Sequence, residues 1–168
     1  MTNDSLPDAE ITLGRLADKM RGAIAFDAKL IGIYSGGAWL AERLAEMLEG
    51  EHPVGYIDVS FYRDDYAQKG LRAKLATTTL PFEVAGSRIV LVDDVLYTGR
   101  TTRAALDALF SHGRPSLVQL LVLIDRGHRE LPVEATFVGR TVQTTDSEVI
   151  EVKLTEIDDA EKVLLMER

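Results

Sequence analysis

The sequence predicts an α/β domain: a central, mainly parallel β-sheet flanked by helices. Two observations carry that expectation. Short apolar runs alternate along the chain with amphipathic stretches of helical period. The most apolar run, "RIVLVDD" (Arg88 to Asp94), has no polar face, as a strand buried on both sides at the centre of a parallel sheet would not. The 168 residues suit one domain, 1–168, with a core of its own.

The elements follow in order. Asp8 to Phe26 reads as a helix, with Ile11, Leu13, Leu16, Met20 and Ile24 near helical spacing. "KLIGIYS" (Lys29 to Ser35) is a short apolar strand. "GGAWLAERLAEMLEG" is a helix with Leu40, Leu44, Met47 and Leu48 on one face, stopped by Gly50. Val54 to Arg63 alternates as a strand. The next 23 residues, Asp64 to Gly86, are polar and lack a clear period, which fits a lid, a hairpin or a mobile arm. After "RIVLVDD" comes a helix, "GRTTRAALDALFSHG", offering Ala104, Leu106, Leu109 and Phe110 for packing. "SLVQLLVLID" is a second buried strand. Shorter strands are expected near Ala135 to Val142, Val149 to Leu154 and Lys162 to Met166. Phe26 and Trp39 read as core or interface residues.

Composition excludes several classes. Hydrophobic residues make up 46% and charged residues 27%, ordinary for a globular protein. No apolar run approaches the roughly 20 residues needed to span a bilayer, so no membrane partner is expected. The polar, acidic start "MTNDSLPDAE" is unlike a secretory signal, and there is no cysteine for disulfides or thiolate metal sites; a cytoplasmic home is the expectation. A net charge of −8 argues against bulk nonspecific binding to nucleic acid. His52, His112 and His128 have no metal-ligand spacing, no G-x-G-x-x-G opens the helix after the first strand, and Ser35 is not flanked as in G-x-S-x-G. A zinc hydrolase, a Rossmann dehydrogenase and a nucleophile-elbow hydrolase are thereby disfavoured.

The chemistry concentrates in "RIVLVDDVLYTGRTT" (Arg88 to Thr102). Ligands of open α/β sheets bind outside the carboxyl ends of the strands, where this motif falls. The loop runs into a helix start, whose N–H groups and dipole favour an anion. Thr98, Thr101 and Thr102 add hydroxyls, and Gly99 permits close backbone approach. Asp93 and Asp94 repel phosphate but accept hydrogen bonds from a diol. A phosphate on the loop and a diol on the acids describe a ribose 5-phosphate. The plainer reading is that Asp94 caps the next turn and Asp93 pairs with an arginine.

On these residues the chain resembles type I phosphoribosyltransferases. "DVSFYRDD", "VDDVLYTGRT", "ALF..GRP", "IDRGHRELP" and the late "VGR" narrow the resemblance to the bifunctional pyrimidine operon regulator/uracil phosphoribosyltransferase family. It implies that fold, with a mobile loop and a small hood. It implies transfer of phosphoribose from phosphoribosyl pyrophosphate (PRPP) to uracil, giving UMP and pyrophosphate, with Mg²⁺ held through substrate and by Asp93 and Asp94. UMP and UTP would be regulatory signals, and pyrimidine-operon leader RNA a weaker expected partner. A homodimer or higher homo-oligomer is implied.

Carried onto this chain, the resemblance makes Asp93, Asp94 and Arg63 catalytic. It gives Val95, Leu96, Tyr97, Thr98, Gly99, Arg100 and Thr101 to the 5′-phosphate, and Ser35, Gly36 and Gly37 to the pyrophosphate. Asp125, Arg126 and Val142 would lie by the base, though Asp125 and Arg126 read equally as a strand-terminal salt bridge or turn. Arg15, His128, Arg129 and Arg140 are the RNA candidates; each alone also reads as a surface cation or a local hydrogen-bonding residue. RNA-binding relatives carry polar or basic residues where this chain has Gly14 and Asp18, and a cation where it has Glu134. Relatives with strong transferase activity are expected to carry Lys-Thr-Arg-Gly at Tyr34 to Gly37, so two cations are missing, and one lost electrostatic stabiliser costs on the order of 10²–10³ in rate. Two further readings stay open: a catalytically weak nucleotide sensor, and a purine phosphoribosyltransferase, against which "FYRDD" and "DRGHRELP" speak.

Overall fold

The computed structural model describes residues 6, 8–59 and 78–167. Arg63, Lys69, Arg72 and Lys74, and most of the expected mobile arm, lie outside these. In chain order the elements are α1 (Ala9–Met20), β1 (Lys29–Ile33), α2 (Gly36–Met47), β2 (Val54–Ile57), β3 (Arg88–Leu96), α3 (Arg100–Phe110), β4 (Leu117–Asp125), β5 (Phe137–Thr141), β6 (Glu148–Lys153), α4 (Thr155–Asp158) and β7 (Lys162–Glu167).

Five strands form one parallel sheet in the order β2-β1-β3-β4-β5, with the apolar β3 at its centre as expected. Its side chains alternate between two cores, as strand geometry dictates. Leu30, Val90, Val92, Leu121 and Leu123 face the layer built by α1 and α2. Ile31, Ile33, Ile89, Leu91, Leu120 and Val122 face α3, which contributes Ala104, Ala105 and Leu109. Each fully buried leucine or isoleucine contributes about 1.5–3 kcal/mol. The order reverses direction between β1 and β3, so the crevice at that switch point opens beside Tyr34–Gly37 on one side and Asp93–Leu96 on the other.

Antiparallel β6 and β7 form a separate hairpin that buries Ile150, Val152 and Val163 in the α1/α2 core. It is the small hood. Arg43, whose side chain is 13% exposed, ties the hood to the helices: it donates to Glu156 at 2.7 and 2.8 Å and to Glu161 at 2.5 and 3.1 Å, and reaches Glu10 of α1 at 2.9 Å.

Several expectations need correcting. The first helix ends at Met20 rather than Phe26, because Gly22 takes a left-handed φ of 80° and turns the chain. Leu13, Leu16 and Met20 are buried, but Ile11 points outward and is 59% exposed. Phe26 lies in the turn after the helix and is 85% exposed, and Trp39 is on the outer side of α2, so neither is a core residue. Phe110, offered for packing, is exposed at the end of α3.

Candidate functional site

The central strand runs two residues past the two aspartates. Val95 and Leu96 are apolar, and the alternation shifts there: Val95 packs against the α1/α2 core, although Ile89 and Leu91 face α3, and Leu96 lies within the α3 core. Their side chains therefore pack inside and offer a phosphate nothing; only their backbone remains for that purpose. The loop proper is Tyr97 to Gly99, with Arg100 and Thr101 opening α3.

Alternation also separates the acids. Asp93 follows Ile89 and Leu91 toward the α3 side and is 4% exposed, its Oδ1 accepting the Asp94 N–H at 2.9 Å. Asp94 follows Val90 and Val92 toward α2, half-buried, with Oδ1 accepting the Val95 N–H at 2.8 Å. The two carboxylates thus flank the strand end rather than stand together on one face.

Gly36 and Gly37 begin α2 across the crevice from this strand. A side chain at Gly36 would collide with the Asp94 carboxylate, and one at Gly37 with the Val92 carbonyl oxygen. Both glycines are buried because the helix start lies against β3. Ser35, exposed, precedes them, and the Tyr34–Ser35 peptide is cis.

The loop into α3 turns on Gly99, whose φ of 94° suits glycine, with Val133 backing it so closely that a Cβ would stand 3.1 Å away. Thr98 is buried, and its hydroxyl accepts the Arg100 N–H at 3.2 Å. The Thr98 carbonyl accepts from the Glu130 and Leu131 N–H groups at 2.9 and 3.1 Å. Arg100 reaches Glu130 at 3.2 Å, and Thr101 is half-buried at the first turn of the helix.

The end of β4 is committed inward. Arg126 is 3% exposed: its guanidinium stacks 3.9 Å from the centre of the Tyr97 ring and donates to the Glu148 carbonyl at 2.5 Å and the Thr144 hydroxyl at 3.3 Å. Asp125 pairs with Arg129 at 2.6 Å and accepts the Gly127 N–H at 3.0 Å. Burial pushes this carboxyl upward, but the Arg129 hydrogen bond and the Gly127 N–H outweigh it and hold the acid below its ordinary value. Val142, half-buried just after β5, donates its N–H to the Asp125 carbonyl at 2.9 Å, so its backbone lines the same rim.

The basic candidates divide. Arg15 and Arg140 are exposed on the packed neighbours α1 and β5. His128, at a left-handed φ of 64°, places Nε2 2.7 Å from the Thr144 carbonyl and Nδ1 3.2 Å from Asp146. Arg129 turns into the protein. The salt bridge and turn offered as the plainer reading of this strand end are present, with Arg129 rather than Arg126 as the partner of Asp125; what sequence reasoning missed is that Arg126 is buried, because only the fold brings Tyr97, Thr144 and Glu148 to it. Among the described residues no group of three or more acidic or histidine side chains could cage a metal ion.

Residues 5–157 match the family model described as the phosphoribosyl transferase domain. The chain is 53% identical over 143 residues to the bifunctional protein PyrR of Thermus thermophilus, covering 83% of this chain and 79% of that one. It is 45% identical over 170 residues to the bifunctional protein PyrR of Chloroflexus aurantiacus, covering 99% and 93%. Among solved structures, a hypoxanthine-guanine phosphoribosyltransferase from Bacillus anthracis matches with a TM-score of 0.70 at 18% identity, over 95% of this chain and 93% of that one. A purine phosphoribosyltransferase from Pyrococcus horikoshii matches with a TM-score of 0.63 at 24% identity, over 80% and 83%. At such identities those two likenesses concern the fold and not the base. The five-stranded parallel sheet, its hood and these relatives together settle the family: the chain belongs to the phosphoribosyltransferases and, within them, to the PyrR proteins.

Proposed function

We propose that this protein transfers phosphoribose from PRPP to uracil, giving UMP and pyrophosphate, and that uridine nucleotides read at the same site make it a regulator of pyrimidine biosynthesis genes. One arrangement carries the reading: two acids near the end of β3, of which Asp94 meets the glycine-rich start of α2, and a loop entering a helix, all at the switch point. In the reaction the C1′–O bond to pyrophosphate breaks with its electron pair, a uracil nitrogen bonds to C1′, and that nitrogen's proton leaves to solvent. The transition state resembles an oxocarbenium ion, so catalysis is positioning, charge stabilisation and exclusion of water.

Asp93 and Asp94 accept from the ribose hydroxyls. The backbone from Tyr97 to Thr101 and the threonine hydroxyls hold the 5′-phosphate at the α3 start. Ser35, Gly36 and Gly37 offer backbone N–H groups to the pyrophosphate, while the Asp125 and Val142 rim lies by the base. Asp93 and Asp94 supply hard oxygen donors without a full cage, which suits Mg²⁺, an ion that takes one or two carboxylates and otherwise substrate oxygens and water. Bound there with PRPP, it would neutralise charge on the departing pyrophosphate. We assign the protein to the cytoplasm and to at least a dimer, with leader RNA as the weakest of the assigned partners.

A second reading, a nucleotide sensor with little turnover, is favoured by one observation: Tyr34 to Gly37 contains no cation. PRPP, Mg²⁺ and radiolabelled uracil, run beside the Asp93→Asn, Asp94→Asn double variant, separate the two. Uracil-dependent UMP formation that the variant loses is the expected result. Binding of UMP or PRPP without turnover, lost in the variant, supports the sensor. Neither binding nor turnover overturns both.

A further inference from the structure

The connection from Asp125 to Val133 is in direct contact with the loop that the proposed function assigns to the 5′-phosphate. Arg129 is the centre of that contact. Its planar fork is used in three directions: Nη2 donates to Asp125 Oδ2 at 2.6 Å, Nη1 to the Tyr97 carbonyl at 3.0 Å, and Nε to the Val133 carbonyl at 2.8 Å. One guanidinium therefore joins the end of β4, the first residue of the phosphate loop and the far side of the connection. The next loop residue, Thr98, accepts two N–H groups from the same connection, and Gly99 rests against Val133.

We propose that Arg129 is a positioning residue: it fixes the backbone of the Tyr97–Thr101 loop in the shape that receives the 5′-phosphate, acting through the Tyr97 carbonyl, with Asp125 and Val133 anchoring its fork, rather than touching ligand or offering its charge to an outside partner. The physical requirement is specific. A set of backbone N–H groups binds phosphate well only if their directions are set beforehand, because reorienting them on binding consumes the gain. Glycine at the third loop position leaves the chain its widest freedom, so the constraint must come from outside the loop. Lysine cannot substitute: its compact ammonium lacks the flat fork that meets three acceptors in one plane.

The inference rests on the nucleotide-site reading, and the test distinguishes the two. Affinities of UMP and of uridine, which lacks the phosphate, are measured by titration calorimetry for the wild type, Arg129→Gln and Arg129→Lys, with a melting curve on each sample. A misplaced loop is expected to weaken UMP by about 10- to 100-fold in Arg129→Gln while uridine stays within about 2-fold, since displacement near 1 Å costs on that scale. Arg129→Lys, which keeps the charge and the contact to Asp125, is expected to recover only part of the loss and guards against a poorly folded Gln variant. Unchanged UMP affinity in both variants overturns the proposal. So does a parallel loss of UMP and uridine that tracks the melting temperature, which is what a merely structural arginine would give. A folded wild type that binds no UMP instead overturns the nucleotide-site reading, and the proposal with it.

Discussion

Replacing Gly37 by alanine tests how tightly the start of α2 is pressed onto the central strand. An added Cβ would lie deep inside contact distance of the Val92 carbonyl oxygen and 3.1 Å from the Asp93 Cα. Both neighbours are backbone of the innermost strand and cannot rotate away. A relaxed contact of this kind needs roughly 3.5 Å, so helix and strand must part by about 1 Å. Overpacking of that order costs about 1–3 kcal/mol, and because no flexible side chain absorbs it the upper end applies. Alanine's better helix propensity returns at most about 1 kcal/mol. The net loss is about 2 kcal/mol, a fall in Tm of about 4–8 °C for a chain this size. Calorimetric melting of Gly37→Ala against wild type reads it directly. Gly36→Ala is the internal comparison: the nearest atoms to its Cβ belong to the Asp94 side chain, whose carboxylate can swing aside. That variant should melt close to wild type yet bind PRPP more weakly, because Asp94 leaves its place on Val95. A Gly37→Ala protein that melts at or above the wild-type temperature would refute the close approach and, with it, the account of why a glycine stands there.

Two further outcomes follow from the same structure. Arg43 holds Glu156 and Glu161 below the ordinary glutamate value of 4.5 through hydrogen bonds, so this network contributes stability fully above about pH 4.5 and loses it as pH falls through their lower folded values. Arg43→Met should therefore cost about 1.5–3 kcal/mol at pH 7, and the gap in Tm from wild type should narrow in melts taken progressively below pH 4.5; a gap constant with pH would refute it. Gly99→Ala should lower stability by about 1–2 kcal/mol, because an L-residue is strained at that left-handed position, and denaturant titration showing no loss would mean that the loop adopts another shape.

The layout of the fold was legible because it depends on periodicity. The continuous apolar runs in "RIVLVDD" and "SLVQLLVLID" are local features, and the two strands pair at the centre of the sheet as their lack of a polar face demands. The strand–loop–helix order around the proposed phosphate loop was readable for the same reason: Gly99 and the amphipathic pattern after it mark a boundary in the chain itself. What escaped were facts that depend on partners far along the sequence. The strand end moved from Asp94 to Leu96 because two cores, not one, receive Val95 and Leu96. Arg126 reads as a base neighbour or a strand-terminal salt bridge, and Arg129 as an RNA contact, a surface cation or a local hydrogen-bonding residue; which partners they take, Tyr97 and Glu148 for the first and Asp125 for the second, depends on the fold. Phe26 reads as a core or interface residue, and it leaves the core because the first helix stops at Met20; Ile11 has helical spacing but lies on the outer face of that helix.

The two missing cations fall at Tyr34 and Gly36, where the expected Lys-Thr-Arg-Gly has lysine and arginine. Gly37 is glycine in that pattern too, and packing dictates it, since no side chain fits between α2 and Val92. Gly36 faces Asp94, so an arginine there would have to displace or pair with the very carboxylate assigned to the ribose. Ser35 is exposed and under no such constraint. With no cation in Tyr34 to Gly37, the positive potential that this loop supplies comes from the N–H groups at the start of α2, equivalent to about half an elementary charge. Such fixed donors hold phosphate oxygens in the bound substrate and product much as they do in the transition state. Binding that is uniform in this sense supports affinity without raising kcat. The same loop can therefore preserve a nucleotide-sensing site while lowering turnover, which is why affinity for PRPP and formation of UMP have to be measured separately: the first reads the backbone of Ser35 to Gly37, the second reads the charge that its side chains lack.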